Sequence, residues 1–185
     1  MPRILPALCL TVFGIACGGA AVLCFAGPVL PSANKRLPDP ILSLANLKRV
    51  RVRVTPISPQ LTRHDVTVQL VREKIETVLK EMRVTIVDDP EAPKLEFMTV
   101  VVVEPTIPEA TAFNMRILLY QSTRIDRLDR SFIVPTYSDF NVSLDRTEKL
   151  RETAVVTLEQ ILSRFRKSVE DATRAIGRET EPPSG

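Results

Sequence analysis

The chain has 185 residues, with 25 Lys and Arg against 22 Asp and Glu, one His, three Cys and no Trp. That length suits one domain behind a leader, and the near-balanced charge argues against nucleic acid, whose binders normally carry a basic excess. Position excludes more than composition. Glycine stands at 14, 18, 19, 27, 177 and 185, so residues 34–176 have none. A phosphate-cradling P-loop, a dinucleotide turn and a G-x-S-x-G nucleophile elbow all need glycines, and all three are ruled out there. Cys9, Cys17 and Cys24 lie together near the start, so the body has no disulfide, thiolate nucleophile or cysteine metal ligand. His64 is the one histidine, which leaves no multi-histidine metal site. No cofactor or metal is predicted.

Residues 1–33 read as a signal peptide or a signal-anchor. Arg3 supplies a short positive region, and Ile4–Leu30 carries no charge. Cys24-Phe25-Ala26 offers small residues at the positions a signal peptidase reads, with cleavage after Ala26. The same run is long enough to span a bilayer, so a cleaved signal and an uncleaved tether through 4–30 both stand. Either way the body is exported, periplasmic or anchored to the inner membrane outside the cytoplasm.

Residues 34–47 read as a linker that turns apolar at Ile41, Leu42, Leu44 and Leu47. Arg49–Val54 alternates Arg and Val, a strand with its valines on one face. A helix over 65–82 follows, its stripe made by Val68, Val71, Ile75, Val78, Leu79 and Met82. Thr62 and Asp65 stand in capping register before it. Thr85–Val87 is a short second strand. Leu95–Glu104, with Val100–Val103 consecutive, reads as a central strand covered on both faces. Ala112–Thr123 alternates again, and Ser131–Val134 is a short last strand ended by Pro135. A helix over 146–176 closes the pattern, with Gly177 just past its end. The single domain spans 48–177, and 178–185 is a disordered tail.

The order β-α-β-β-β-β-α predicts an α+β fold. It is a two-layer sandwich with a mostly antiparallel four- to five-stranded sheet and two helices on one face.

Few side chains suggest chemistry. Asp88-Asp89 before Pro90 reads as a strand end rather than an acid/base pair. His64, Asp65 and the serines 58, 138 and 143 compose a hydrolytic triad only on paper. Thr136-Tyr137-Ser138-Asp139 is expected to turn the chain between the last strand and the long helix, with Tyr137 at the core edge. Asn141-Val142-Ser143 is a glycosylation sequon wherever the pathway supplies glycans. No catalytic residue is predicted.

Two surfaces remain as candidates. Arg49, Arg51 and Arg53 form a basic stripe suited to an anion or a lipid headgroup. Two helices cover one face of a sheet, so Met98, Val100, Val102, Leu118 and Tyr120 make an apolar patch on the other. It is covered either by the Ile41–Leu47 segment or by a partner.

Several segments carry a resemblance. They are the strand ending in Thr55-Pro56, the helix closing at Met82-Arg83, Ile86-Val87-Asp88-Asp89, Leu118-Leu119-Tyr120-Gln121, and Thr136-Tyr137-Ser138-Asp139 before the long helix. Over residues 47–177 the chain resembles small exported bacterial proteins of unassigned function. Its element order is similar to the α/β domains of curli-secretion lipoproteins, the TolB N-terminal domain and ABC-transport auxiliary lipoproteins. The resemblance implies an envelope setting and transfers no functional residue. The expected function is a non-catalytic, envelope-associated module that binds an envelope protein or a second copy of itself. A lipid- or anion-binding accessory domain is the alternative, with a hydrolase third.

Overall fold

The computed structural model describes residues 37–103 and 109–180. The predicted leader with its tether, and the tail from 181, lie outside them. Among the described residues no helix is long and apolar enough to cross a membrane.

The elements run α1 (Asp39–Leu42), β1 (Arg49–Val54), α2 (Pro59–Thr62), α3 (Val68–Glu81), β2 (Thr85–Ile86), β3 (Lys94–Val103), β4 (Ala110–Ile125), β5 (Arg130–Arg146) and α4 (Leu150–Thr180). The strands form one sheet in the order β2-β1-β3-β4-β5. β1 lies parallel to both β2 and β3, while β3-β4-β5 is an antiparallel meander. The expected α+β class and element order are therefore present, in a sheet that is mixed.

One parity of the pleat builds the core, because successive strand residues point to opposite faces. Val50 and Val52 of β1, Leu95 and Phe97 of β3, Phe113, Met115, Ile117 and Leu119 of β4, and Tyr137 of β5 form that layer. Val71, Ile75 and Leu79 of α3 pack on it, as do Leu158, Ile161, Leu162 and Phe165 of α4. Both helices thus share one face of the sheet. Lys74–Glu159 at 2.6 Å and Arg166–Glu81 at 3.0 Å bridge them along their wet side.

The helix α3 starts at Val68, the first residue of its apolar stripe and three residues later than the span 65–82 read from the sequence. Thr67 is its N-cap, accepting from the Leu70 amide at 3.1 Å, and Val68 is exposed. Asp65 instead lies in the turn that follows α2, at φ 59°, and the Val66 amide donates back to the Leu61 carbonyl at 3.1 Å. The body lacks glycine for such left-handed positions, so Asn46, Asp65, Arg83 and Asp129 occupy them. Asn and Asp tolerate this conformation, whereas Arg83 takes it at the end of α3 with no local compensation from its side chain.

Three further expectations need correction. Gly177 does not end the long helix, which runs on through Thr180 and takes up the first residues assigned to the tail. The segment expected as a linker includes α1 and the fully buried Leu44. It packs against the C-terminal half of α4, where the Asn46 amide donates to the Thr173 hydroxyl at 3.2 Å. A 31-residue helix outruns a small sheet, and this segment covers the surplus.

The largest difference lies in β5. Sequence reading ended the last strand at Val134, yet the strand runs 17 residues to Arg146, antiparallel to β4 throughout, with an irregularity beside Leu119/Tyr120 that accommodates Pro135-Thr136. Thr136–Asp139 is therefore strand and not turn. Tyr137 packs on Phe165 with ring centroids 5.6 Å apart, as the core-edge expectation had it. Burial raises its phenol above the usual range, partly offset by a hydrogen bond with Ser168.

Candidate functional site

The side of the sheet away from the helices has two unlike halves. One is built by β1 and the first half of β3. Arg53 lies 3.4 Å and Lys94 3.1 Å from the Glu96 carboxylate, and the Lys94 ammonium sits 4.2 Å over the Tyr120 ring. Arg49 pairs with Asp89 at 3.1 Å. These long side chains roof the sheet, so Glu96 and Leu118 beneath them are buried. Leu118 therefore does not belong to the exposed patch, and Tyr120 and Met98 are half-buried. Two arginines of the predicted basic stripe already hold carboxylates, which leaves Arg51 half-buried between them.

The other half is bare. Val100 and Val102 of β3 are 57 and 62 % exposed. Directly across β4 lie Phe140, Val142 and Leu144 of β5, at 60, 62 and 70 %. Register sets three rows: Met98-Arg116-Phe140, Val100-Asn114-Val142 and Val102-Ala112-Leu144. β3 is thus central as expected, but its Val100 and Val102 are uncovered on this side. The alternative that Ile41, Leu42, Leu44 and Leu47 fold across this patch is overturned. Leu44 lies in the helix-side core, with Ile41 and Leu47 packed against that same core.

The reason β5 exposes apolar residues lies on its other face. There Asp139, Asn141, Ser143 and Asp145 meet α4 in a polar ladder. Arg164 grips Asp139 with contacts of 2.8 and 3.2 Å, the Asn141 amide donates to Gln160 at 3.0 Å, and Ser143 lies 2.8 Å from the Thr157 hydroxyl. Asp145 accepts from Thr153 and from the Arg146 amide, and those hydrogen bonds, Thr153 first, hold its carboxyl below the usual range. The steps of two along the strand match steps of three and four along the helix. An edge strand normally packs its apolar side under the helices and turns its polar side to water. Here the arrangement is reversed.

Sequence reading missed Phe140, Val142 and Leu144. The period-two signal was present in Phe-Asn-Val-Ser-Leu, but the polar residues between them suggested a loop leading into the helix.

The paper triad does not assemble. The Ser58 hydroxyl contacts Gln60, Ser138 accepts from Arg116 Nε at 3.2 Å on the open face, and Ser143 bonds Thr157 on the opposite face. Asp89 accepts from the Glu91 amide at 2.9 Å, the turn role expected of it. Among the described residues, no three His, Cys, Asp or Glu side chains gather as metal ligands would. The hollows lined by described residues are open and shallow. One of about 580 Å³ lies between Asn46–Lys48, the end of α3 and Val169–Arg174.

No family model and no curated protein matches the chain. Among solved structures, a minor lipoprotein from Acinetobacter baumannii is similar at 10 % identity and a TM-score of 0.38, over 72 % of this chain and 95 % of that one. The likeness is too loose to carry a function across.

Proposed function

We propose that this chain is a non-catalytic, envelope-associated binding module, exported or tethered by its leader, whose open sheet face meets another protein. One observation carries the reading. Five side chains left between 57 and 70 % exposed on one face present on the order of 500 Å² of apolar surface, toward the upper end of the largest patch a monomer leaves bare, and patches of that size are often functional. The charge-free run Ile4–Leu30 and the similarity of element order to curli-secretion, TolB N-terminal and ABC-transport auxiliary domains support the envelope setting. The anion- or lipid-binding alternative rests on Arg49, Arg51 and Arg53, and it weakens where Asp89 and Glu96 already neutralise two of the three.

Two measurements test this. Fractionation of the native host is expected to place the protein in the envelope, and soluble cytosolic protein of full length sinks that part. A panel of ester, phosphate and glycoside substrates is expected to show no turnover. An activity that co-purifies with the chain and disappears on substitution of its own residues would overturn the non-catalytic reading.

A further inference from the structure

Resting on that reading, we propose that the occupant of the open face is a second copy of this chain, packed sheet to sheet about a two-fold axis that crosses the strands at Asn114.

The first argument is the reversal of β5. Its polar side is tied to α4 by the Asp139–Arg164, Asn141–Gln160, Ser143–Thr157 and Asp145–Thr153 ladder. Its apolar side points the other way, in register with Val100 and Val102. An edge strand with this pattern buries its apolar side only when a second layer lies on the open face.

The second argument is self-complementarity. Turning a copy about an axis perpendicular to the strands lays the row Met98-Arg116-Phe140 over the row Val102-Ala112-Leu144 of the other copy. Bulky side chains then face smaller ones, as interdigitating sheets require. The middle row faces itself, Val100 and Val142 in apolar contact and Asn114 opposite its own counterpart. An amide carries both donors and an acceptor, so two such amides satisfy each other.

Charge fits the same placement. The Arg116 guanidinium is turned toward Ser138, away from the middle row. Glu96, Lys94 and Arg53 lie beyond the Met98 row, and the rotation carries them past the Val102 row of the other copy. Among the described residues, no carboxylate falls inside the contact. With roughly 500 Å² from each copy, the buried total comes to about 1,000 Å², the lower bound for a specific interface. The dimer is accordingly a weak one that concentration in an envelope favours.

The test uses the full chain with Cys9, Cys17 and Cys24 replaced by Ser and Asn114 by Cys, in its native envelope. Facing sheets stand about 10 Å apart, too far for a direct disulfide, so a short bis-thiosulfonate reagent is used. The expected product is a band of twice the chain mass that yields peptides of this chain alone. Val156→Cys, on the outer side of α4 and 46 % exposed, gives no such band. Adding Val142→Asp, or Leu144→Ser as a second variant, cuts the yield by about tenfold or more, while the circular dichroism melt of dilute purified protein falls by no more than a few degrees.

A band containing a different polypeptide overturns the second copy and leaves the proposed function standing. Equal cross-linking by Val156→Cys means aggregation through the leader and also overturns it. Protection of the thiol from maleimide with no cross-linked product overturns the second copy, since a copy would bring its own thiol to the axis, and leaves the face to another occupant. Free labelling with no cross-link leaves the face empty and ends both readings.

Discussion

Two leucines that differ in placement give the sharpest test of which side of the sheet is the core. Leu162 in α4 is 2 % exposed, and Leu144 in β5 is 70 % exposed. Truncation to alanine removes the same three carbons at each. At about 0.8 kcal/mol for each buried methylene, the transfer loss at Leu162 is ~2.4 kcal/mol. Its neighbours Leu158, Ile161 and Phe165 are anchored by the sheet and close the hole only in part. The cavity left behind brings the cost to about 3–4 kcal/mol. At Leu144 less than a third of the side chain is covered, so the same arithmetic yields ~0.7 kcal/mol. For a domain of this size, the two melting points should differ by roughly 10 °C. Urea unfolding followed by circular dichroism, in dilute protein, measures both. Equal costs would refute the assignment of the core to the helix side. If the Leu144→Ala deficit grows with protein concentration, dimerisation accounts for the increment, since association stabilises by mass action.

Three further outcomes follow from single features. Arg83 sits at φ 58° where the chain leaves α3, so Arg83→Gly should raise stability by about 0.5–1 kcal/mol; a loss in chemical denaturation would show that its side chain matters more than its backbone. Gly177 lies inside α4 with nothing within 4 Å of where a Cβ would stand, so Gly177→Ala should stabilise by about 0.5 kcal/mol, and a lower melting point would contradict the continuous helix. The Asp145 carboxyl is depressed below 3.8, chiefly by Thr153. Its contribution is therefore present above that pH and lost as pH falls through the depressed value. Asp145→Asn should flatten the melting-point profile in that acid window, and an unchanged slope would remove the ladder's role there.

The α+β class, the element order and the helix-side core were readable along the chain. Each rests on a local periodicity: the valines of Arg49–Val54, the i, i+3, i+4 stripe of α3, and the run Leu158-Ile161-Leu162-Phe165 in α4. Capping was read less well, because Thr67 and Asp65 are both competent caps and only the path of α2 decides between them. The exclusion of glycine-dependent phosphate sites also needed no coordinates, since it follows from residue positions alone. What local pattern could not decide is which way an alternating strand faces. Phe140-Asn141-Val142-Ser143-Leu144 is compatible with either side turned inward. Pairing with β4, in a register set beyond the Leu119/Tyr120 irregularity, turns its apolar side away from α4. A shift of one residue would have buried it and exposed the polar ladder, so the patch proposed as the site is a product of register. The place of Leu44 was likewise tertiary. A short apolar segment covers whichever surface its neighbours leave open, and the overhang of a 31-residue helix supplied that surface on the helix side.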